Sequence, residues 1–387
     1  MARRWVIAGG GTGGHVTPAL ALGEAIVARG DEVIFIGSAR GLESRLVPAA
    51  GFDLEVLPSE QVMGRNLWGR VKGGLSILRS VGAARRTIRD FDAEAVISVG
   101  GYAAMPAALA AWSLRRPLFL VEPNAIPGRV NRITSRFARS VFVGFESAKN
   151  RFSSYVETLY TGVPLRRALY RAFRRAEPRR SPGRPLRLLV FGGSQGARQL
   201  NESVPEALSR LDAESVEVFH QSGEADREAV ERRYADAGLR ATIVAFETDM
   251  PARYHWADLA ICRAGALTVA ELALAGMPAL LIPYPFAADD HQSANARALE
   301  KAGAALRLDS RPLDVEALAD TVAELAHAPD RLIAMSEAAR SLAHPLAAEA
   351  IIDRCVERLN GASPAPALDS SRRASGHEAE DAPCSAS

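Results

Sequence analysis

The residues with the most evident chemistry lie in CRAGALTVAELALAGMPALLIPYPFAADDHQSANA, positions 262–296. A strand pattern ends at Cys262, and Gly265-Ala266-Leu267-Thr268 opens a helix that places Glu271 one turn in. The start of a helix carries unpaired N–H groups and partial positive charge, which suits a diphosphate. A carboxylate one turn further along can accept two hydrogen bonds from a ribose diol. After the next strand pattern, Asp289-Asp290-His291-Gln292 stands on a loop entering another helix, where polar groups suit the hydroxyls of a sugar. Plainer readings stay open: Glu271 on a solvated helix face, and the acidic run as a helix cap.

Three glycine turns follow aliphatic runs. They are Gly9-Gly10-Gly11-Thr12-Gly13-Gly14-His15 after WVIA, Gly100-Gly101-Tyr102 after AVISV, and Gly192-Gly193-Ser194-Gln195-Gly196 after LRLLVF. Each can turn backbone N–H groups toward phosphate at a helix start, and Ser194 adds a hydroxyl. The alternative is tight packing of strand on helix. Gly9, Gly11 and Gly14 satisfy the dinucleotide fingerprint, but a nicotinamide site needs an acid closing the second strand. That strand, VIFI, runs into Gly37-Ser38, with Asp31 and Glu32 at its other end. The turn therefore reads as a cradle for a different ligand. His15, beside it, titrates near neutrality and is suited to move a proton.

Parallel α/β architecture would hold these turns in place. WVIA, VIFI, AVISV, LFLV and VFV alternate with helical segments in the first half; LRLLVF, VEVF, TIVA, DLAI and ALLI do so in the second. Such alternation implies parallel sheets covered by helices on both faces. VIAGGGTGGH (6–15) and LLVFGGSQGA (188–197) are each a strand, a glycine turn and a helix start, which suggests two related halves. The Arg- and Pro-rich stretch between them reads as a boundary. The expected organisation is a first domain over 1–163, a linker over 164–186, a second domain over 187–344, and a disordered tail over 362–387. Two such domains facing each other put every glycine turn at a carboxyl sheet end, where open α/β sheets bind ligands.

Composition narrows the function classes. The 387 residues are 48% hydrophobic and 24% charged, and the net charge of +2 implies no global field for nucleic acid. Cys262, Cys355 and Cys384 follow no zinc or disulfide spacing, which fits a reducing compartment. No secretory signal is visible, and the apolar stretch 102–114 contains Pro106 and is too short to span a bilayer. Asp90-Phe91-Asp92 precedes its strand, at the end remote from the crevice, and reads as a solvated turn rather than a metal pair. Residues 62–89 hold seven basic residues and no acid, interleaved with apolar side chains. They fit either docking on an anionic membrane or an amphipathic helix with an Arg-rich solvent face.

Taken together, GGGTGGH, GGY, GGSQGA, CRAGALTVAE and ADDHQ, in this order and spacing, resemble the MurG family of bacterial peptidoglycan N-acetylglucosaminyltransferases, from about Trp5 to about residue 360. The resemblance implies the GT-B architecture: two Rossmann-like doubly wound parallel-sheet domains facing a cleft, with a C-terminal helix (345–361) returning to the first domain. It implies transfer of N-acetylglucosamine from UDP-N-acetylglucosamine to the muramyl 4-hydroxyl of a lipid-linked muramyl-pentapeptide, at the cytoplasmic face of the bacterial inner membrane. The implied partners are these two substrates, an anionic membrane surface and other cell-wall synthesis proteins, with no nucleic acid and no protein-bound metal or cofactor.

Carried over by motif, Ser194 and the helix start at Ala266, Leu267 and Thr268 would hold the UDP diphosphate. Glu271 would take the ribose, Phe246 and Glu247 the uracil, and Gln292 with His291 the sugar. Thr12, Gly13, Gly14, Asn124 and Arg166 would approach the donor from across the cleft. The acceptor diphosphate would lie on Gly14, His15, Gly100, Gly101 and Tyr102. A membrane patch would comprise Leu67, Trp68, Arg70, Lys72, Leu75, Leu78 and Arg79. Val121 and Pro123 beside Asn124, Met105, and Ala264 depart from the family pattern, chiefly on the acceptor side. The implied chemistry is a single inverting displacement with His15 as base and Asp289 and Asp290 as rivals. Other two-domain UDP-sugar enzymes, a glycolipid glycosyltransferase or a UDP-N-acetylglucosamine 2-epimerase, are the alternatives. A non-catalytic membrane-binding scaffold is a third, against which Ser194, Glu271 and Gln292 argue.

Overall fold

The computed structural model describes residues 2–58, 67–101, 103–174, 185–193, 196–309 and 311–361, with side chains of 67–75 outside that description. Seven parallel strands form the first sheet, in the order β3-β2-β1-β4-β5-β6-β7. They are β1 Arg4–Gly9, β2 Glu32–Ser38, β3 Leu54–Leu57, β4 Ala95–Gly100, β5 Leu118–Glu122, β6 Ser140–Val143 and β7 Glu157–Tyr160. Six more form the second, in the order β10-β9-β8-β11-β12-β13. These are β8 Leu186–Phe191, β9 Val216–Gln221, β10 Ala241–Val244, β11 Leu259–Cys262, β12 Ala279–Leu281 and β13 Ala305–Arg307.

The helices around the first sheet are α1 Gly13–Ala28, α2 Glu43–Ala49, α3 Leu67–Asp90, α4 Ala104–Ser113 and α5 Arg129–Thr134. Helix α6 Arg167–Phe173 crosses to the second unit, followed by α7 Arg198–Leu208, α8 Arg227–Asp236, α9 Met250–Trp256, α10 Ala266–Ala275, α11 His291–Lys301, α12 Val315–Ala326 and α13 Pro329–Ser341. Helix α14 Ala347–Leu359 ends the described chain.

Alternation along the strands explains the layering. Trp5 and Ile7 point to a core shared with α1 and α14, through Leu22, Ile26, Ile351 and Ile352. Val6 and Ala8 point to the opposite core, with Ala84 and Ile88 of α3 and Ala107 and Ala111 of α4. A strand buried on both faces reads as a continuous aliphatic run, which is why the central strands stood out in the sequence. The second sheet is divided likewise, with Leu189 and Phe191 on one side and Leu188 and Val190 on the other. Ala125, Phe145 and Val163 of the first unit join the core of the second beside Val269 and Leu299, so the two units share an apolar contact.

Strand order reverses between β1 and β4 in the first sheet and between β8 and β11 in the second. Loops leaving the carboxyl ends of strands flanking a reversal diverge to opposite faces and open a crevice. The turns at 9–14 and 100–101 flank the first crevice, and those at 192–196 and 263–265 the second. Two positions demand glycine. A Cβ on Gly101 (φ +88°) would lie 2.2 Å from Gly10 O, and one on Gly196 (φ +75°) 1.8 Å from Ser222 O.

Three sequence expectations change or fall outside view. Strands β3, β7 and β13 were not anticipated; they lie at or beside sheet edges and are short and half-exposed. The stretch expected to be a plain linker contains α6, and Phe173 on it is buried in the core of the second unit. Residues 175–184 and the tail 362–387 lie outside the described residues. Asp92 of the D-x-D pair faces Arg116 at 2.9 Å and Arg4 at 4.0 Å.

Candidate active site

The two crevices face each other across one cleft of about 1460 Å³. Gly11, Thr12 and Gly13 line it from the first unit, and Gly192, Gly193, Gly196 and Gln292 from the second. Arg40, Arg45, Arg198, Arg263 and Arg311 also line it, and no carboxylate does among the described lining residues. Such a wall attracts an anionic ligand.

In the first unit, α1 starts on the turn itself. Thr12 O accepts the N–H groups of His15 and Val16 at 3.1 Å. No acceptor is paired with the N–H groups of Gly13 and Gly14 among the described residues. The His15 Nδ1 lies 3.3 Å from Thr12 Oγ1, and its Nε2 edge rests over Gly100, where a methyl would sit 3.4 Å away. Burial lowers the His15 pKa, as does His291 across the cleft, while Glu43 opposes both. His15 is therefore a neutral imidazole at pH 7, able to accept a proton.

Glu43 was not anticipated from sequence. The acid sought at the end of β2 stands five residues further on, at the start of α2, and turns back. Its Oε2 accepts from Gly11 N–H at 2.8 Å, and its Oε1 from Ser38 N–H at 2.9 Å and Ser38 Oγ at 2.7 Å. It is 1% exposed. Burial works to raise its pKa, but the Ser38 hydroxyl and the Gly11 and Ser38 amides outweigh this and hold it below the ordinary value. An ionised carboxylate thus sits beneath the first glycine turn and takes one of the N–H groups that the cradle reading assigned to a ligand.

The loop after β5 is organised by Glu122, a second residue sequence reasoning passed over. It accepts from the backbone N–H groups of Asn124 and Gly128 and from Asn131 Nδ2, at 2.9–3.0 Å. Burial raises its pKa against those donors. Asn124 meets the second unit through Asn295 of α11, which is fully buried. Asn295 Nδ2 donates to Asn124 Oδ1 at 3.2 Å and to Ala264 O at 3.1 Å, and its Oδ1 accepts from Ala125 N–H at 2.9 Å. One amide thereby ties the first unit's loop to the turn that begins α10.

In the second unit, Gly265 precedes α10 with extended backbone and no side-chain cap. The N–H groups of Ala266, Leu267 and Thr268 have no protein acceptor among the described residues. Gln292 Oε1 accepts from Tyr284 N–H at 2.9 Å and Ala264 N–H at 3.3 Å, which leaves its Nε2 as a donor at the cleft wall. Gln221, also missed, joins two site segments: its Nε2 donates to Gly193 O at 2.8 Å and its Oε1 accepts from Glu247 N–H at 3.0 Å. Glu247 pairs with Arg253 at 2.5 Å, and Phe246 beside it is 58% exposed.

Several expected residues stand outside the cleft lining. Glu271 is half-buried on α10, and its Oε2 accepts from the Tyr254 hydroxyl at 2.9 Å. Burial pushes its pKa up to about 7, with Tyr254 pulling the other way. Arg166 is engaged by Glu24: its Nε donates to Glu24 Oε1 at 2.7 Å, and Arg167 N–H donates to Glu24 Oε2 at 3.0 Å. It fastens the start of α6 to α1 rather than lining the cleft. His291 directs Nδ1 at Ala288 O, 2.8 Å away. Asp289 and Asp290 adopt φ of +52° and +54° and face Arg132 and Arg311 at 4.0 and 3.9 Å; like His15, neither is among the residues lining the cleft. Ser194 and Tyr102 lie outside the described residues. No cluster of His, Cys, Asp and Glu among the described residues is arranged to hold a metal ion.

Of the membrane patch, Leu67, Trp68, Arg70, Lys72 and Leu75 lie on α3 with their side chains outside the description. Leu78 is 68% exposed, Ile77 is 44% exposed, and Arg79 is exposed. Trp112 of α4, 57% exposed, adds an apolar side chain that the sequence reading did not include. No helix among the described residues is long and apolar enough to cross a membrane.

Known proteins share this arrangement. Residues 5–143 match the model of the glycosyltransferase family 28 N-terminal domain, and residues 187–351 that of its C-terminal domain. The chain is 44% identical to the UDP-N-acetylglucosamine--N-acetylmuramyl-(pentapeptide) pyrophosphoryl-undecaprenol N-acetylglucosamine transferase of Chromohalobacter salexigens, over 92% of this chain and 96% of the relative. It is 43% identical to the enzyme of the same name from Acidithiobacillus ferrooxidans, over 93% and 99%. A crystal structure of Acinetobacter baumannii MurG superposes with a TM-score of 0.77 at 33% identity, covering 92% of this chain and 100% of that one. The chain belongs to glycosyltransferase family 28 and, within it, to the MurG family of N-acetylglucosamine transferases.

Proposed function

We propose that this protein transfers N-acetylglucosamine from UDP-N-acetylglucosamine to the muramyl 4-hydroxyl of undecaprenyl-diphospho-muramyl-pentapeptide, in the cleft between its two units. The observation that carries the reading is the meeting of two glycine turns across one arginine-walled cleft, with Thr12, which His15 contacts, on one side and Gly192, Gly193 and Gln292 on the other.

The donor's diphosphate lies against the N–H groups of Ala266, Leu267 and Thr268, with Ser194 adding its hydroxyl. Helix dipole and amides take the leaving-group charge without reorganising as it develops. Glu271 accepts from the ribose hydroxyls, the segment at Phe246 and Glu247 receives the uracil, and Gln292 Nε2 donates to the sugar. The acceptor's 4-oxygen attacks the anomeric carbon as the bond from that carbon to the phosphate oxygen breaks. The electron pair leaves on UDP, and the 4-hydroxyl proton passes to His15. One displacement inverts the α-linked donor to a β-linked product. The acceptor diphosphate lies toward the open N–H groups of Gly13 and Gly14, beside Gly100 and Gly101. Leu78, Ile77 and Trp112, flanked by Arg79, meet an anionic membrane surface peripherally at its cytoplasmic side.

The test is transfer of labelled N-acetylglucosamine to a soluble lipid-linked muramyl-pentapeptide analogue, with a muramyl-free polyprenyl diphosphate as control. Label is expected only in the muramyl product. Consumption of donor without any acceptor would instead identify an epimerase and overturn the assignment.

A further inference from the structure

Arg263 is a cation inside the protein with no carboxylate paired to it among the described residues. It follows β11, two residues before the open start of α10, and is 7% exposed. Its Nη1 donates to Gln199 Oε1 and Ile282 O at 3.0 Å and to Pro283 O at 3.1 Å, all neutral oxygens. The guanidinium lies 5.6 Å from the centre of the Tyr284 ring. Its Nε is buried with no partner. Among the described residues Nη2 has no hydrogen-bond partner, and Arg263 lines the cleft.

Nearby cleft arginines differ. Arg198 is 84% exposed and paired with Glu202; Arg311 is 56% exposed, 3.9 Å from Asp290. A guanidinium drawn from water against neutral acceptors alone is unfavourable unless an anion completes its shell. Desolvation accordingly lowers the Arg263 pKa. The three oxygens on Nη1 hold the group in place, with Arg263 lining the cleft, before any ligand arrives.

Resting on the proposed transfer reaction, we propose that Arg263 is a catalytic residue that binds the donor's diphosphate through Nη2 and neutralises the charge that appears on the departing β-phosphate oxygen. The bond from the anomeric carbon to that oxygen breaks, its electron pair stays on UDP, and the acceptor proton goes to His15. Arg263 and the amides of α10 share the added negative charge. A charge-assisted hydrogen bond of this kind is worth about 10- to 100-fold in affinity.

Calorimetric titration of the full chain with uridine, UMP and UDP tests this, on the wild type, Arg263→Met and Arg263→Lys, with folding checked by circular dichroism. Arg263→Met is expected to lower UDP affinity about 10- to 100-fold while uridine binding stays within about twofold. The kcat for transfer should fall by more than the donor KM rises. Equal losses for uridine and UDP would mean that Arg263 only braces the carbonyls of Ile282 and Pro283, and would overturn the proposal, as would unchanged UDP binding. If Arg263→Met does not fold, Arg263→Lys decides. A compact ammonium cannot serve both the three oxygens and a phosphate, so UDP is expected to weaken at least about fivefold against uridine, and parallel losses overturn the proposal. A wild type that binds no UDP removes the parent reading as well. A wild type that binds UDP, with variants whose UDP preference is unaltered, removes only the role of Arg263.

Discussion

Replacing Glu271 by Gln probes the ribose position through stability before any substrate is added. Its pKa in the folded protein is about 7 against an ordinary 4.5, because burial disfavours the charged form more than the Tyr254 hydroxyl supports it. The native state therefore holds this proton more tightly than the unfolded chain. The associated stability is fully present below pH 4.5 and is lost as pH rises through about 7. At about 1.4 kcal/mol per pH unit, the gap amounts to about 3 kcal/mol. Gln preserves shape and hydrogen bonding but cannot ionise. Urea unfolding from pH 4.5 to 8.5 should show the wild type losing about 3 kcal/mol relative to Glu271→Gln, most of it between pH 5 and 7. Ligand reverses the trend. In the proposed donor complex the ribose hydroxyls donate to the ionised carboxylate, so UDP-N-acetylglucosamine should expel part of a proton at pH 7. Calorimetry in two buffers of different ionisation enthalpy measures this, since the donor's diphosphate diester does not itself titrate there. Parallel stability curves for the two proteins would refute the burial argument. Proton release that persists in Glu271→Gln would refute the ribose contact.

Three further outcomes are expected. His15→Ala should lower kcat at least about 100-fold. In the wild type, the acid limb of the kcat/KM profile should fall below the ordinary imidazole value of 6.5, because burial and His291 lower the His15 pKa; a drop of only a few fold in the variant would remove His15 as base. Gln221→Leu strips partners from Gly193 O and Glu247 N–H, at a cost of about 1–3 kcal/mol in stability. It should raise donor KM with kcat little changed, as steady-state kinetics would show. Ile77→Ser combined with Leu78→Glu should weaken co-sedimentation with anionic vesicles while leaving turnover of a soluble acceptor analogue intact; undiminished vesicle binding would move the membrane face elsewhere.

Central strands and glycine turns were legible because their causes are local. A strand such as WVIA, covered on both faces, must be aliphatic throughout. A turn such as 192–196 must admit positive φ and close backbone approach. The edge strands LEVL and ETLY lack that coverage and so lack the signal. The site's supports were illegible for a different reason, since each is a pairing across distant sequence. Glu43 reaches back 32 residues to Gly11, Gln221 bridges 28 back and 26 forward, and Asn295 reaches 171 residues to Asn124. Nothing around any of these side chains foretells its partner. Arg166 shows the converse, a motif position that could be located but whose ion pair with Glu24, 142 residues away, could not.

The two units repeat one strand–turn–helix design but support it with different side chains, and that difference bears on their roles in the proposed reaction. Under the first turn lies the ionised Glu43, which takes the Gly11 N–H and favours the imidazolium form of His15. Beside the second turn stand Arg198, Arg263 and Arg311 and the open start of α10, with no carboxylate among the described lining residues. Over the second turn the donor's diphosphate meets cations and amides where its charge grows. Transfer moves a proton from the acceptor oxygen toward His15 and an electron pair from the anomeric bond toward UDP. Positive charge therefore grows on the side that holds Glu43 and negative charge on the side that holds Arg263 and the open start of α10. Groups held in place before the substrates arrive need little reorganisation as these charges develop.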